Sequence, residues 1–108
     1  MIITTAPTIA GKEIKKTFGI VEGNTIRARN IGKDIVAMFK NILGGEIEEY
    51  TKLLAESREQ AIDRMKVKAE ELGANAIVNC RFSTSYIMQS AAEILVYGTA
   101  VYIEQSPK

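Results

Sequence analysis

The chain has no histidine and a single cysteine, Cys80, among its 108 residues. A nucleophilic cysteine needs a base beside it, and histidine, the commonest one, is missing. A zinc or copper site needs three or four soft ligands, so one thiol without imidazole cannot complete such a site within one chain. A lone cysteine also excludes an intrachain disulfide, so nothing indicates an oxidising compartment. A metal site at Cys80 would require several copies of the chain around a symmetry axis.

Long apolar runs and blocks of like charge are also missing. The formal net charge is +1, and the basic residues are interspersed with acidic ones, which argues against a nucleic-acid-binding stripe. The longest apolar stretch, residues 91–103, contains Glu93, Gly98 and Thr99 and is shorter than the ~20 residues of a membrane span. The N-terminal residues lack the charged region of a signal peptide. These features predict a soluble cytoplasmic protein of one domain, residues 1–108, without nucleic-acid or membrane partners.

The order of apolar segments predicts an α+β protein. Residues 13–21 and 25–29 have the composition of strands, and Glu22, Gly23 and Asn24 between them form a turn signal. Two helices are predicted over residues 31–43 and 46–72, and two strands over residues 76–87 and 92–103. The short connection between the last two strands predicts an antiparallel hairpin. The prediction is a two-layer β-α-α-β-β fold, with an antiparallel sheet and helices on one face.

The second predicted helix has one apolar face. Its apolar residues recur at steps of three, four and seven: Tyr50, Leu54, Ala61, Met65, Ala69 and Leu72. Gly73 is expected to end this helix in a positive-φ conformation. Gly98, in the last strand, is expected to allow close approach of a neighbouring backbone.

Strand alternation predicts the environment of Cys80. Because side chains alternate along a strand, Val78, Cys80 and Phe82 share the more apolar face of residues 76–87, against which the helices are expected to pack. A buried free cysteine behaves as a small hydrophobe, and burial raises its pKa. The pattern favours a core position for Cys80 over a ligand role.

The last strand is apolar on both faces. Val96 and Ala100 point one way, and Val101 and Ile103 point the other way. Two helices cover only one face of such a sheet, so the other face needs another cover. A second copy of the chain at Val101 and Ile103 is the simplest one, and the N-terminal residues 2–9 are the alternative.

The residues RNIGKDIVAMFKNILGGEIEEY, LGANAIV and YGTAV resemble, in order and spacing, the YbjQ-like family of small bacterial and archaeal proteins. The resemblance extends from about residue 2 to residue 103. It implies a dodecin-like subunit that assembles into a ring-shaped homopentamer with extra short strands at the subunit contacts. The family carries a heavy-metal-binding label without an activity. Cys80 stands where an aliphatic residue is usual in the family, which agrees with a core role.

Five residues are candidates for binding a ligand, and each also has a structural interpretation. Arg29, Asn30 and Asp34 could form an anion site at a helix N-terminus, or they could simply cap that helix. Asn75 could bind a ligand, or it could hydrogen-bond local backbone after the helix. Glu93 could pair with Arg81 on the neighbouring strand, or it could line the opening of a ring.

Three function classes follow, in decreasing order of preference. The first is a homo-oligomer that binds a small ligand or metal ion between subunits. The second is a structural assembly without a ligand. The third is an enzyme using Arg29, Asp34 or Glu93, although the chain has no histidine or paired-carboxylate signature for acid–base catalysis. No catalytic residue, protein metal ligand or specific cofactor is predicted.

Overall fold

The computed structural model describes residues 1–28, 48–88 and 91–107, which form a four-stranded sheet with a helix packed on one face. The elements are β1 (Ile2–Ile3), β2 (Lys12–Ala28), α1 (Glu48–Leu72), β3 (Ala76–Met88) and β4 (Ala91–Gln105). The predicted α+β class and the long helix are confirmed. The first predicted helix, residues 31–43, and the predicted start of the second at residue 46 lie outside the described residues.

The sheet is mixed, with the strand order β1-β3-β4-β2. β4 is antiparallel to both β3 and β2, whereas β1 is parallel to β3. The prediction of an antiparallel sheet was therefore wrong at β1, which the sequence analysis had not recognised as a strand. The β3–β4 hairpin is confirmed, since the ladder continues to the Met88–Ala91 pair.

The predicted turn at Glu22, Gly23 and Asn24 was wrong, because β2 is continuous from Lys12 to Ala28. Gly23 lies beneath α1, where a Cβ would overlap the Ala61 carbonyl oxygen and lie 2.5 Å from the Met65 nitrogen. The glycine is therefore needed for close approach of helix and strand. Glycine commonly serves this purpose as well as forming turns.

The helix packs on the sheet through a row of fully buried residues. Ser57, Ala61, Met65 and Ala69 are each 0% exposed and recur every four residues, as one face of a helix requires. Thr25 Oγ1 donates a 3.2 Å hydrogen bond to the Ser57 carbonyl oxygen. The predicted helix face is confirmed at Ala61, Met65 and Ala69. No helix in the described part of the chain is long and apolar enough to cross a membrane.

Gly73 ends α1 as predicted, with φ +91°. The Gly73 N–H donates to the Glu70 carbonyl at 3.0 Å, and the Ala74 N–H donates to the Ala69 carbonyl at 3.0 Å. These two bonds are those of a Schellman motif, which satisfies the last carbonyls of the helix. Ala69 and Ala74 also lie in the same buried cluster, so the motif brings the chain back onto the core.

A bulge in β3 changes which residues share a face. Asn79 has φ +54°, and the register with β4 shifts between Val78 and Arg81. Ile77 and Cys80 consequently pack in the cluster under α1, whereas Val78 packs in the cluster on the opposite face. The prediction that Val78 and Cys80 share a face was therefore wrong, although the core position of Cys80 is correct.

The chain covers part of its own outer face, the face of the sheet opposite α1. Val101 is 1% and Ile103 is 7% exposed, in a cluster that Ile9 and Ile14 complete. The alternative of cover by the N-terminal segment is therefore observed at this position. Val101 and Ile103 are therefore already covered within one chain, whereas the hypothesis of a second copy assumed that they were exposed.

Candidate functional site

Two of the five candidate ligand residues lie in the described part of the chain. They are Asn75 and Glu93, at different positions on the sheet. Arg29, Asn30 and Asp34 lie outside the described residues, and their proposed anion site stays a prediction.

Asn75 is engaged with the backbone of the neighbouring strand. Its Nδ2 donates to the Ile103 carbonyl at 2.9 Å, and its Oδ1 accepts from the Ile103 N–H at 2.7 Å. The Asn75 backbone N–H also donates to the Val101 carbonyl, at 3.1 Å. Asn75 therefore holds the start of β3 against β4, which is a structural role.

Glu93 lies half-buried on the outer face of the sheet, near the start of β4. Its Oε2 accepts a 2.9 Å hydrogen bond from Asn24 Nδ2, across the β2–β4 pair. The Asn24 carbonyl accepts in turn from the Arg64 guanidinium. Asn24 therefore links the Glu93 carboxylate to the helix.

The expected pairing of Glu93 with Arg81 does not occur. Glu93 is opposite Ser85 in β3, whereas Arg81 is opposite Tyr97, several residues along the strand. The Arg81 Nη1 instead donates to the carbonyls of Thr5 and Cys80, at 2.9 and 2.8 Å. Arg81 thus fastens the N-terminal segment to the edge of β3.

Cys80 is a core residue with an unreactive thiol. It is 5% exposed and belongs to the cluster under α1. Burial raises the pKa of the Cys80 thiol, and the positive charge of Arg81 opposes this rise in part. A thiol with a raised pKa stays protonated at neutral pH, whereas metal ligation requires the thiolate.

Replacing Cys80 by valine is expected to leave folding and metal content unchanged. The substitution keeps an apolar side chain of similar size in the core, so the loss in stability should stay below about 1.5 kcal/mol. Thermal unfolding and elemental analysis of both proteins test this expectation. Zinc or copper bound stoichiometrically by the parent and lost from the variant would contradict it.

Sequence reasoning missed the apolar residues that the described chain leaves exposed on its sheet. Ile20 is 81%, Ile26 55% and Phe82 49% exposed. The hydrophobic pattern indicated apolar strands but could not tell which side chains the chain itself would cover. These residues lie on β2 and β3, the two strands that flank β4.

A cleft of about 400 Å³ lies between β2 and the end of α1. Ile20, Val21 and Glu22 form its strand side, and Lys68, Glu71 and Leu72 form its helix side. Three consecutive β2 residues line the cleft, so it opens on the edge of the strand and not on one face. No sequence motif indicated this feature.

The sequence was compared with known families and proteins. Residues 1–104 match a family model described as "Putative heavy-metal-binding". A UPF0145 protein of Dehalococcoides mccartyi is 57% identical over 104 residues, covering 96% of this chain and 100% of the relative. One of Methanosarcina acetivorans is 57% identical over 103 residues, covering 95% and 97% of the two chains.

A solved structure has the same fold. It is the crystal structure of a protein with unknown function, assigned to the DUF74 family, from Pediococcus pentosaceus. The TM-score is 0.64 at 21% sequence identity, with 96% of this chain and 98% of the other covered. At this identity the similarity supports the fold alone.

The residues of one chain do not fit a heavy-metal site. The chain supplies one thiol and no imidazole, and burial of the thiol raises its pKa. Among residues 1–28, 48–88 and 91–107, no three His, Cys, Asp or Glu side chains are grouped so that they could hold a metal ion. Soft metals require several thiolate or imidazole ligands together.

Proposed function

This chain belongs to the YbjQ-like UPF0145 family, and from that premise we propose that it is a homo-oligomeric protein whose copies together bind a small ligand or metal ion. The observation that carries the proposal is the exposure of large apolar side chains on both sides of the sheet. Phe82 lies in the same row as Val96, which is on the α1 side, whereas Ile20 and Ile26 lie on the outer face. Large apolar side chains left exposed in this way favour a protein partner.

A second copy of the same chain is the partner that this proposal names. Most soluble oligomers are homo-oligomers with closed symmetry. The resemblance to the YbjQ-like family supplies a ring of five subunits as the specific expectation. Such a ring would cover the exposed residues of every subunit equally.

The ligand site is proposed to lie between copies, because the described residues of one chain do not provide a complete set of metal ligands. A symmetric assembly repeats each polar residue around its axis, so donors that are single in one chain become grouped. Glu93 is the described candidate for this role, because its carboxylate is half-buried on the outer face, where Asn24 donates a hydrogen bond to Oε2. Arg29, Asn30, Asp34 and Asn75 are the other residues predicted for ligand binding.

An assembly without a ligand is the second candidate function. The observation that favours it is that the Asn75 side chain is hydrogen-bonded to the Ile103 backbone and so has a structural role. Under this alternative, the oligomer itself is the functional product. The cytoplasmic location predicted from the sequence is part of both proposals.

Native mass spectrometry separates these candidates. Protein purified without chelators is expected to give a mass of five 11.9 kDa subunits, with additional mass that denaturation releases. Glu93→Gln should keep the assembly and weaken retention of a bound cation. An assembly without additional mass, which takes up none of added zinc, calcium or magnesium, favours the structural candidate. A monomer mass alone contradicts the proposed function.

A further inference from the structure

Each edge of the sheet has a stretch of backbone whose outer side pairs with no other strand among the described residues. β2 is the last strand in the order β1-β3-β4-β2, and β4 is the only strand of the described residues that pairs with it. On the other edge, β1 pairs with Ala76 and Ile77, and the N–H groups of Asn79 and Cys80 donate to the N-terminal segment. From Arg81 to Met88, β3 has ladder pairs only with β4 among the described residues.

The two halves of β2 differ in how their edge is protected. The first half contains Lys12, Lys15 and Lys16 and two irregularities in its register with β4. Lysines and bulges are the usual devices that prevent an edge strand from pairing with another chain. From Gly19 to Ala28 the register is regular and no lysine occurs, so this half is suited to pairing.

Two rows of residues cross the sheet from one free edge to the other. The first row is Arg81 in β3, Tyr97 in β4 and Glu22 in β2. It places a positive charge at one edge and a negative charge at the other. Residues directly opposite each other share a face, so all three project from the outer face.

The second row is Phe82, Val96 and Gly23, on the α1 side of the sheet. Phe82 is 49% exposed at one edge, whereas Gly23 has no side chain at the other. Beside Gly23 lies the cleft formed by Ile20, Val21 and Glu22 with the end of α1. One edge therefore presents a large apolar side chain. The other presents a space lined by three apolar and three charged residues: Ile20, Val21, Leu72, Glu22, Lys68 and Glu71.

We propose that copies of this chain join edge to edge, with the Gly19–Ala28 half of β2 pairing with the Arg81–Met88 part of β3 in the next copy. The Phe82 ring of one copy then enters the cleft of the other. Arg81 lies beside or diagonal to Glu22 on the outer face, so the opposite charges meet. This inference rests on the proposed self-assembly and names the surfaces that produce it.

The direction of the strands makes this contact head-to-tail. β2 and β3 are both antiparallel to β4, so they run the same way within one chain. Subunits related by rotation about an axis along the strands therefore pair β2 with the next β3 in parallel. A contact between two different surfaces gives a closed ring when repeating the rotation between subunits returns to the first subunit.

Phe82→Lys is expected to break the assembly without unfolding the protomer. Its side chain is half-exposed in one chain but would be buried, with an unpaired charge, in the contact. Val67→Lys is the matched control, because Val67 is 53% exposed on α1 and does not line the cleft. Sedimentation velocity should show smaller species for Phe82→Lys and the parental size for Val67→Lys, with equal helical circular dichroism. If Phe82→Lys sediments at the same size as an oligomeric parent, the edge pairing is overturned.

Cross-linking tests which residues meet at the contact, because a disulfide forms only between neighbouring cysteines. Glu22→Cys and Arg81→Cys are combined in the Cys80→Val background, so that no other thiol is present. Within one chain these positions are separated by β4, at about 10 Å, which is too far for a disulfide. Mild oxidation should give a ladder of covalent multimers on a non-reducing denaturing gel, whereas Glu22→Cys alone gives at most dimers.

The outcomes of the cross-linking experiment separate the two proposals. If the double-cysteine protein sediments as an oligomer but gives no covalent ladder, the edge pairing is overturned and self-assembly is not. A parent protein that sediments as a monomer overturns both.

Discussion

Replacing Gly23 with alanine is expected to destabilise the fold by about 3 kcal/mol or more, at the upper end of the cost of overpacking a core. The added Cβ would overlap the Ala61 carbonyl oxygen and lie 2.5 Å from the Met65 nitrogen. Both atoms belong to the backbone of α1, so no side-chain rotation can make room. The helix would have to move away from β2, which would also break the Thr25–Ser57 hydrogen bond.

Gly11→Ala is the matched control for this prediction. Gly11 has φ +75°, but a Cβ there would meet no atom within 4 Å. Its substitution should lower the stability by only about 1–2 kcal/mol, the cost of a left-handed backbone conformation for a residue with a Cβ. Chemical denaturation of the two variants measures the difference. Equal stability for Gly23→Ala and the parent would mean that α1 does not contact β2 at this point.

Gly73→Val is expected to lower the stability by about 2–3 kcal/mol, near the upper end of the cost of a strained backbone conformation. Gly73 has φ +91°, which a β-branched side chain adopts poorly. The nearest atom to an added Cβ is Phe18 Cζ at 3.9 Å, so the cost comes mainly from the backbone and not from a clash. Loss of this conformation would also disrupt the two hydrogen bonds that close the helix end.

Gly73→Asn distinguishes a backbone effect from a side-chain effect. Asparagine tolerates positive φ better than other residues do, so this variant should retain more of the stability than Gly73→Val. The order parent, Gly73→Asn, Gly73→Val in midpoint temperature is the expected result. Equal midpoints for the two variants would show that the positive φ does not limit stability here.

Local signals predicted much of this fold. The four-residue spacing of Ala61, Met65 and Ala69 predicted the buried helix face, and Gly73 predicted its end. Gly98 was expected to allow close approach, and a Cβ there would lie 2.7 Å from Ile77 Cγ2. These features depend on neighbours in the sequence or on the chemistry of one residue, so a pattern is sufficient to find them.

The errors arose where tertiary contacts decide between two uses of one residue. Gly23 carries the same sequence signal in a turn and beneath a helix, and only the position of α1 distinguishes them. The bulge at Asn79 moved Cys80 onto a different face from Val78, because one extra residue reverses strand alternation. β1 has two residues, Ile2 and Ile3, too few to show any periodicity.

The hydrogen-bond partners of the candidate site residues also depend on tertiary contacts. The sequence indicated Asn75 and Glu93 as polar residues among apolar ones, but not their hydrogen-bond partners. Asn75 is engaged by the Ile103 backbone, and Glu93 accepts from Asn24 and does not pair with Arg81. The need for a partner surface was inferred from β4, whereas the three most exposed apolar side chains of the sheet, Ile20, Ile26 and Phe82, lie on β2 and β3. Burial by the N-terminal segment explains this difference, since Ile9 packs against Val101 and Ile103.

Sedimentation of the unmodified protein at micromolar concentration tests self-assembly most directly. We expect a single species several times the 11.9 kDa subunit mass, and the family resemblance implies five times that mass. The species should persist on dilution, because burying half-exposed apolar residues at every contact stabilises a closed ring. A stable monomer of 11.9 kDa would contradict the assembly, the edge pairing and the binding site between copies.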